Sequence, residues 1–84
     1  MDYRLRKLGK GRWRAETPRE HLSFRWNHGD HRIEVWRPGR QIDSLTVGNA
    51  LHKGSTDEFD VVREIRSYLR KYLTALATAV GKSE

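Results

Sequence analysis

The chain has 84 residues, no cysteine, and seventeen Lys and Arg against eleven Asp and Glu, a formal charge of +6. At that length one core is the limit, which excludes a pair of domains or a large independent catalytic scaffold. The missing cysteines exclude disulfide staples, thiolate metal sites and cysteine nucleophiles, and fit a reducing compartment.

Met1 to Arg6 holds no apolar run that could act as a signal peptide. No stretch approaches the roughly 18 apolar residues of a membrane span, so a cytoplasmic protein without a membrane partner is expected. Burial in so short a chain reaches only about 60–65% of the unfolded surface, and a homodimer would add to it.

Tyr3–Leu8 and Arg12–Thr17 alternate around Gly9-Lys10-Gly11, the pattern of a hairpin closed by a short glycine-containing loop. Pro18 ends the second strand. Leu22, Phe24 and Trp26 alternate with Ser23 and Arg25, and Asn27-His28-Gly29-Asp30 is a turn cluster. His31–Arg37 reads as the next strand and Pro38-Gly39 as its turn. A last strand runs to Val47 from a start between Gln41 and Ser44, with Ile42 out of phase with Leu45 and Val47. Segments of this length and spacing predict an antiparallel meander of four to five strands rather than parallel βαβ units.

Gly48–Gly54 reads as a linker. Ser55 and Glu58 form a capping box, Asp57, Glu58 and Asp60 suit the first helical turn, and Gly81 is a natural stop. Between them Phe59, Val62, Ile65, Leu69, Tyr72, Leu73, Leu76 and Val80 recur at three- and four-residue spacing. The expectation is one α+β domain over 1–84, with a sheet over about 3–47, a linker over 48–54 and a long C-terminal amphipathic helix over about 56–80.

Strand alternation divides the first half into two faces. Tyr3, Leu5, Trp13, Ala15, Leu22, Phe24, Trp26, Ile33 and Val35 fall on one side, where the helix can cover them. Arg4, Arg6, Arg12, Arg14, Arg25, Arg32 and Trp36 fall on the other, with Ser23 and Glu34 between them.

Residues 1–54 hold twelve basic and six acidic side chains, and residues 55–84 five of each, so the positive field belongs to the sheet. Twelve of the cations are arginine, whose planar fork pairs with phosphate and stacks on bases. Arginines beside an aromatic are what single-strand binders use, and Trp36 supplies that aromatic. Lys7, Lys10 and the hairpin arginines would add phosphate contacts with no sequence preference. On the helix, Arg63, Arg66, Arg70 and Lys71 share a side that reads chiefly as a solvated face.

Catalytic signatures are thin. His28, Asp30 and His31 share a turn but lack a second cluster at ligand spacing, and Gly9-Lys10-Gly11 lacks the rest of a P-loop. His21 and His52 stand alone. The chain is therefore expected to be no enzyme and to need no metal, cofactor or small-molecule substrate.

Ile33-Glu34-Val35-Trp36-Arg37-Pro38-Gly39-Arg40, then Ser44-Leu45-Thr46-Val47, then the acidic helix start Asp57-Glu58-Phe59 resemble a group of single-stranded nucleic-acid binders. That group includes the Whirly proteins, the positive-cofactor-four type coactivators and PUR repeats. The resemblance spans about residues 20–72. It implies a homodimer with helices packed between subunits and strand faces gripping nucleic acid. In that group the helix follows the last strand closely, whereas here Gly48–Gly54 intervenes.

The function expected is thus a nucleic-acid-binding module, single-stranded DNA or RNA ahead of duplex DNA, acting through Arg4, Arg6, Lys10, Arg12, Arg14, Arg25, Arg32 and Trp36. A small protein-interaction module or inhibitor, phage- or mobile-element-encoded, with its basic face on an acidic partner, is the alternative.

Overall fold

The computed structural model describes residues 2–47 and 58–82, the side chains of 80–82 excepted. Five strands, β1 (Arg4–Gly9), β2 (Arg12–Glu16), β3 (His21–Asn27), β4 (Arg32–Arg37) and β5 (Arg40–Thr46), form one antiparallel sheet in chain order. One helix, α1 (Glu58–Lys82), follows. The fold is α+β, a meander with a C-terminal helix, as the alternation and the helical stripe predict.

Each turn has a local cause. Gly11 takes φ +72°, a left-handed conformation that glycine adopts without steric cost, and lets the β1–β2 hairpin close. Thr17-Pro18-Arg19-Glu20 reverses β2 into β3. There the Thr17 backbone N–H and hydroxyl both donate to the Glu20 carbonyl, at 3.0 and 2.7 Å. Pro38 and Gly39, the latter at φ +79°, occupy the two central positions of a turn whose flanking residues Arg37 and Arg40 pair. His31, expected to begin β4, instead adopts φ 53° in the preceding turn, so the strand starts at Arg32.

Ile42 is out of phase because β5 is bulged. Val35 pairs with Asp43 and Trp36 with Gln41, which leaves Ile42 without a partner in the register. The extra residue brings Leu45 opposite Ile33, where its side chain packs on the core. β5 accordingly starts at Arg40, before the range expected for it.

The helix lies over the apolar face. Trp13, Ala15, Leu22, Phe24, Ile33 and Val35 of the sheet are buried against Val61, Ile65 and Leu69. Tyr68 meets Phe24 edge to face at 5.9 Å between ring centres. The predicted stripe shifts slightly in phase: Val61 and Tyr68 join the seam, Val62 packs half-buried at its edge as Tyr68 does, and Phe59 is 69% exposed. Val61 and Val62 are adjacent apolar residues, so helical spacing alone does not decide between them, and the Tyr68–Phe24 contact accompanies the choice of Val61.

Lys7 of β1 pairs with Glu58, and the Tyr72 hydroxyl donates to Glu20 at 2.6 Å, tying both halves of the helix to the sheet. Twenty-five residues span about 37 Å, whereas strands of five to seven residues span roughly 17–24 Å, so the helix outruns the sheet. Thr74, Ala75, Ala77, Thr78 and Ala79 are exposed. The helix also continues through Gly81 to Lys82, so Gly81 is not its stop. The linker, Ser55 and Asp57 of the first turn, and the Val80 side chain lie outside the described residues. Glu58 and Asp60 do sit in the first turn. No described helix is long and apolar enough to cross a membrane.

Candidate functional site

The register turns the open face into rows running across the strands. Arg4 lies opposite Glu16, which lies opposite His21. One step along, Arg6, Arg14, Ser23, Trp36 and Gln41 follow in order from β1 to β5. In the next row Arg12, Arg25, Glu34 and Ser44 are aligned from β2 to β5. Asn27, Arg32 and Thr46 make the last, near the Lys10 turn, where the Trp26 backbone N–H donates to Gly11.

Two of these cross-strand pairs are arginine against arginine: Arg6 with Arg14 and Arg12 with Arg25. Like charges directly opposite one another cost stability, by roughly 0.2–1 kcal/mol a pair. Arg4, Arg6, Arg12 and Arg14 are exposed and form no ion pair with a described residue. The paired arginines thus lie in the β1–β3 half, with Arg32 of β4 the one arginine of this face beyond it among the described residues. Towards β5 the face is neutral, with Glu34, Trp36, Gln41, Ser44 and Thr46. Arg32 lies at the corner away from Arg4, and Lys10 is exposed in the hairpin turn.

Trp36 is half-buried and fixed. Its indole Nε1–H donates to Glu34 Oε1 at 3.0 Å, and the guanidinium of Arg25 lies 5.5 Å from the ring centre. Glu34 also accepts from Asn27 Nδ2 at 3.1 Å. The Trp36 and Asn27 hydrogen bonds, with the charge of Arg25 beside them, hold the Glu34 carboxyl below the usual carboxylate range. Glu34 thus stays ionised, aims the indole and helps to place Arg25. The Arg25 guanidinium covers one face of Trp36.

Leu8 belongs to this site although the sequence reading gave it no role. It sits at a bulge in β1, where Lys7 pairs with Trp13 and Gly9 with Arg12, and it is 53% exposed. With Arg12, Ser23, Arg25, Trp36 and Pro38 it lines a depression of about 290 Å³. The signal for it was present: Leu8 shares the parity of Arg4 and Arg6, an apolar side chain in a basic series.

The remaining cations are placed elsewhere. Lys7 is drawn toward the helix by Glu58. Arg63 pairs with Asp60, and Arg66 donates to the Tyr3 hydroxyl at 3.3 Å. Arg37 pairs with Glu20 at 2.7 Å. Trp26 donates to His28 Nδ1 at 3.2 Å and His28 stacks on His31 in the β3–β4 turn. Among the described residues no three His, Asp or Glu are grouped to hold a metal ion.

Comparison with protein-family models, curated proteins and solved structures gives no match to this chain.

Proposed function

We propose that the chain binds nucleic acid through the β1–β3 half of its open sheet face. The observation that carries this reading is the opposition of Arg6 to Arg14 and of Arg12 to Arg25. A sheet facing water normally mixes its charges, and direct like-charge pairing works against folding. A polyanion lying across these rows would neutralise both pairs at once. Arg4, Lys10 and Arg32 extend the same field toward the ends of the strands, and arginine suits phosphate better than lysine does.

Single-stranded DNA or RNA is the ligand the face fits best, because the arginines adjoin Trp36 and Leu8 rather than a uniformly charged surface. This agrees with what the resemblance to the Whirly, positive-cofactor-four and PUR-repeat group implies. The proposal includes a homodimer. Its supporting surface is a flank of the helix, where exposed Phe59, the core-edge Val62, Arg66 and Arg70 line an open groove of about 430 Å³.

The test is a comparison of paired substitutions in an oligonucleotide-binding assay. Arg6→Thr with Arg14→Thr should lower affinity about tenfold or more, whereas Arg63→Gln with Arg70→Gln removes equal charge from the helix and should change it little. Equal effects of the two pairs would reduce the sheet face to one part of a general basic surface.

A further inference from the structure

Resting on that reading, we infer that the depression between Leu8 and Trp36 is a slot for one unstacked nucleobase, which makes the face selective for single strands. Its two ends are chemically distinct. At one, Trp36 is held by Glu34 and covered by the Arg25 guanidinium at 5.5 Å. A guanidinium plane backed by an indole is a surface on which a base stacks, and the cation is retained at no cost in apolar contact.

At the other end stands Leu8, 53% exposed and turned onto the basic face at the β1 bulge. Bulges re-aim side chains beside functional sites, and an exposed leucine among unpaired arginines has no packing duty that the core requires. β1 and β4 are separated by β2 and β3. At about 4.8 Å a strand the two walls lie roughly 14 Å apart along the sheet, and Arg25 occupies the Trp36 side of that gap. What remains admits a flat base between Leu8 and the guanidinium.

The charges agree with this occupant. Arg12 lines the depression and Arg14 lies in the adjoining row, opposite Ser23. A nucleotide whose base enters the slot would carry its flanking phosphates over those two side chains. In a duplex the bases are paired and stacked inside, so a duplex offers the phosphates without the base. Sequence preference is not required, since every base has a π-face.

The experiment measures affinity for an oligothymidylate of about twelve nucleotides, within the roughly 4–16 nucleotides typical of such sites, for an abasic strand of the same length, and for a duplex. The readout is the affinity ratio of base-bearing to abasic strand. We expect a ratio of roughly 5- to 150-fold, the worth of one stacked base. The ratio should fall toward one in Leu8→Ala, and also in Arg25→Lys, which keeps the charge and loses the plane. Equal affinity for base-bearing and abasic strands, or a ratio that both variants leave intact, overturns the slot while leaving the phosphate track in place. No measurable binding to any of the three overturns the track and the slot together.

Discussion

Arg12 lies directly opposite Arg25 across the β2–β3 ladder, and the guanidinium of Arg25 is in turn poised over Trp36. One arginine thus faces a like charge on one side and an aromatic ring on the other. Arg6 and Arg14 repeat the first half of that arrangement one row away. The free protein carries a local electrostatic cost, which the proposed polyanion would relieve.

That cost is measurable without any ligand. Replacing Arg12 and Arg14 together by threonine, which suits a strand better than alanine does, relieves both pairs and should leave stability unchanged or raise it by up to about 2 kcal/mol in low salt. The same pair should lose nucleic-acid affinity. Added salt should stabilise the parent chain more than the variant, because screening acts on repulsion that the variant lacks. A urea melt at two salt concentrations checks this, and a variant destabilised by more than about 1 kcal/mol would contradict it.

The helix seam sets a second expectation. Leu69 is fully buried against the sheet core, so Leu69→Ala should cost about 2–5 kcal/mol through lost contacts and the cavity left behind. Val61→Ala should also destabilise clearly. Phe59, exposed at 69%, should tolerate serine within about 0.5 kcal/mol in the monomer. A large cost at Phe59 with none at Val61 would return the helix to the phase predicted from spacing alone.

Much of the fold is legible in the residues, and the parts that are not have specific physical causes. Alternation and the Gly11, Pro18 and Pro38-Gly39 turns place the strands. The face to which Leu5, Trp13, Phe24 and Val35 belong follows from their parity. Register, by contrast, depends on bulges. The unpaired Ile42 in β5 and the bulge beside Leu8 shift the ladder by amounts that composition does not encode. The sequence thus collects the arginines on one face and gives Leu8 the parity of Arg4 and Arg6, whereas the bulge at Leu8 appears only in the ladder, and the opposition of Arg12 to Arg25 needs the unbulged β2–β3 register set by the Thr17–Glu20 turn. The role of Glu34 is hidden for a similar reason, since its hydrogen bonds to Trp36 and Asn27 need the three-dimensional arrangement.

Acid should act through Glu20. Its carboxyl is held below the usual range first by the Tyr72 hydroxyl and then by Arg37, against the opposing effect of burial. A folded value below the unfolded one means that the stabilisation is complete above the unfolded value of about 4.3 and is lost as pH falls through the folded value. Tyr72→Phe should cost about 1–2 kcal/mol at neutral pH and flatten the acid limb of the stability profile. An acid limb identical in parent and variant would show that this contact does not set it.

Association is checked by sedimentation. The proposed homodimer predicts twice the 9.9 kDa chain mass at tens of micromolar protein, and Phe59→Ser should shift it toward monomer. A monomer mass for the parent chain under those conditions would remove the dimer from the account and leave the sheet face as the binding surface.

The central claim is tested most directly by fluorescence-anisotropy titration of a labelled single strand across a range of salt concentrations. If Arg4, Arg6, Arg12, Arg14 and Arg25 neutralise about four to six phosphates, log K should fall against log salt with a slope of roughly −3 to −5. Each arginine removed should flatten that slope by about one and weaken binding to all sequences alike. Trp36→Ala should lower affinity at an unchanged slope, because stacking releases no counterion. Binding that is indifferent to salt, or unchanged when Arg12 and Arg14 are both replaced, would contradict the account and point to an acidic protein partner instead.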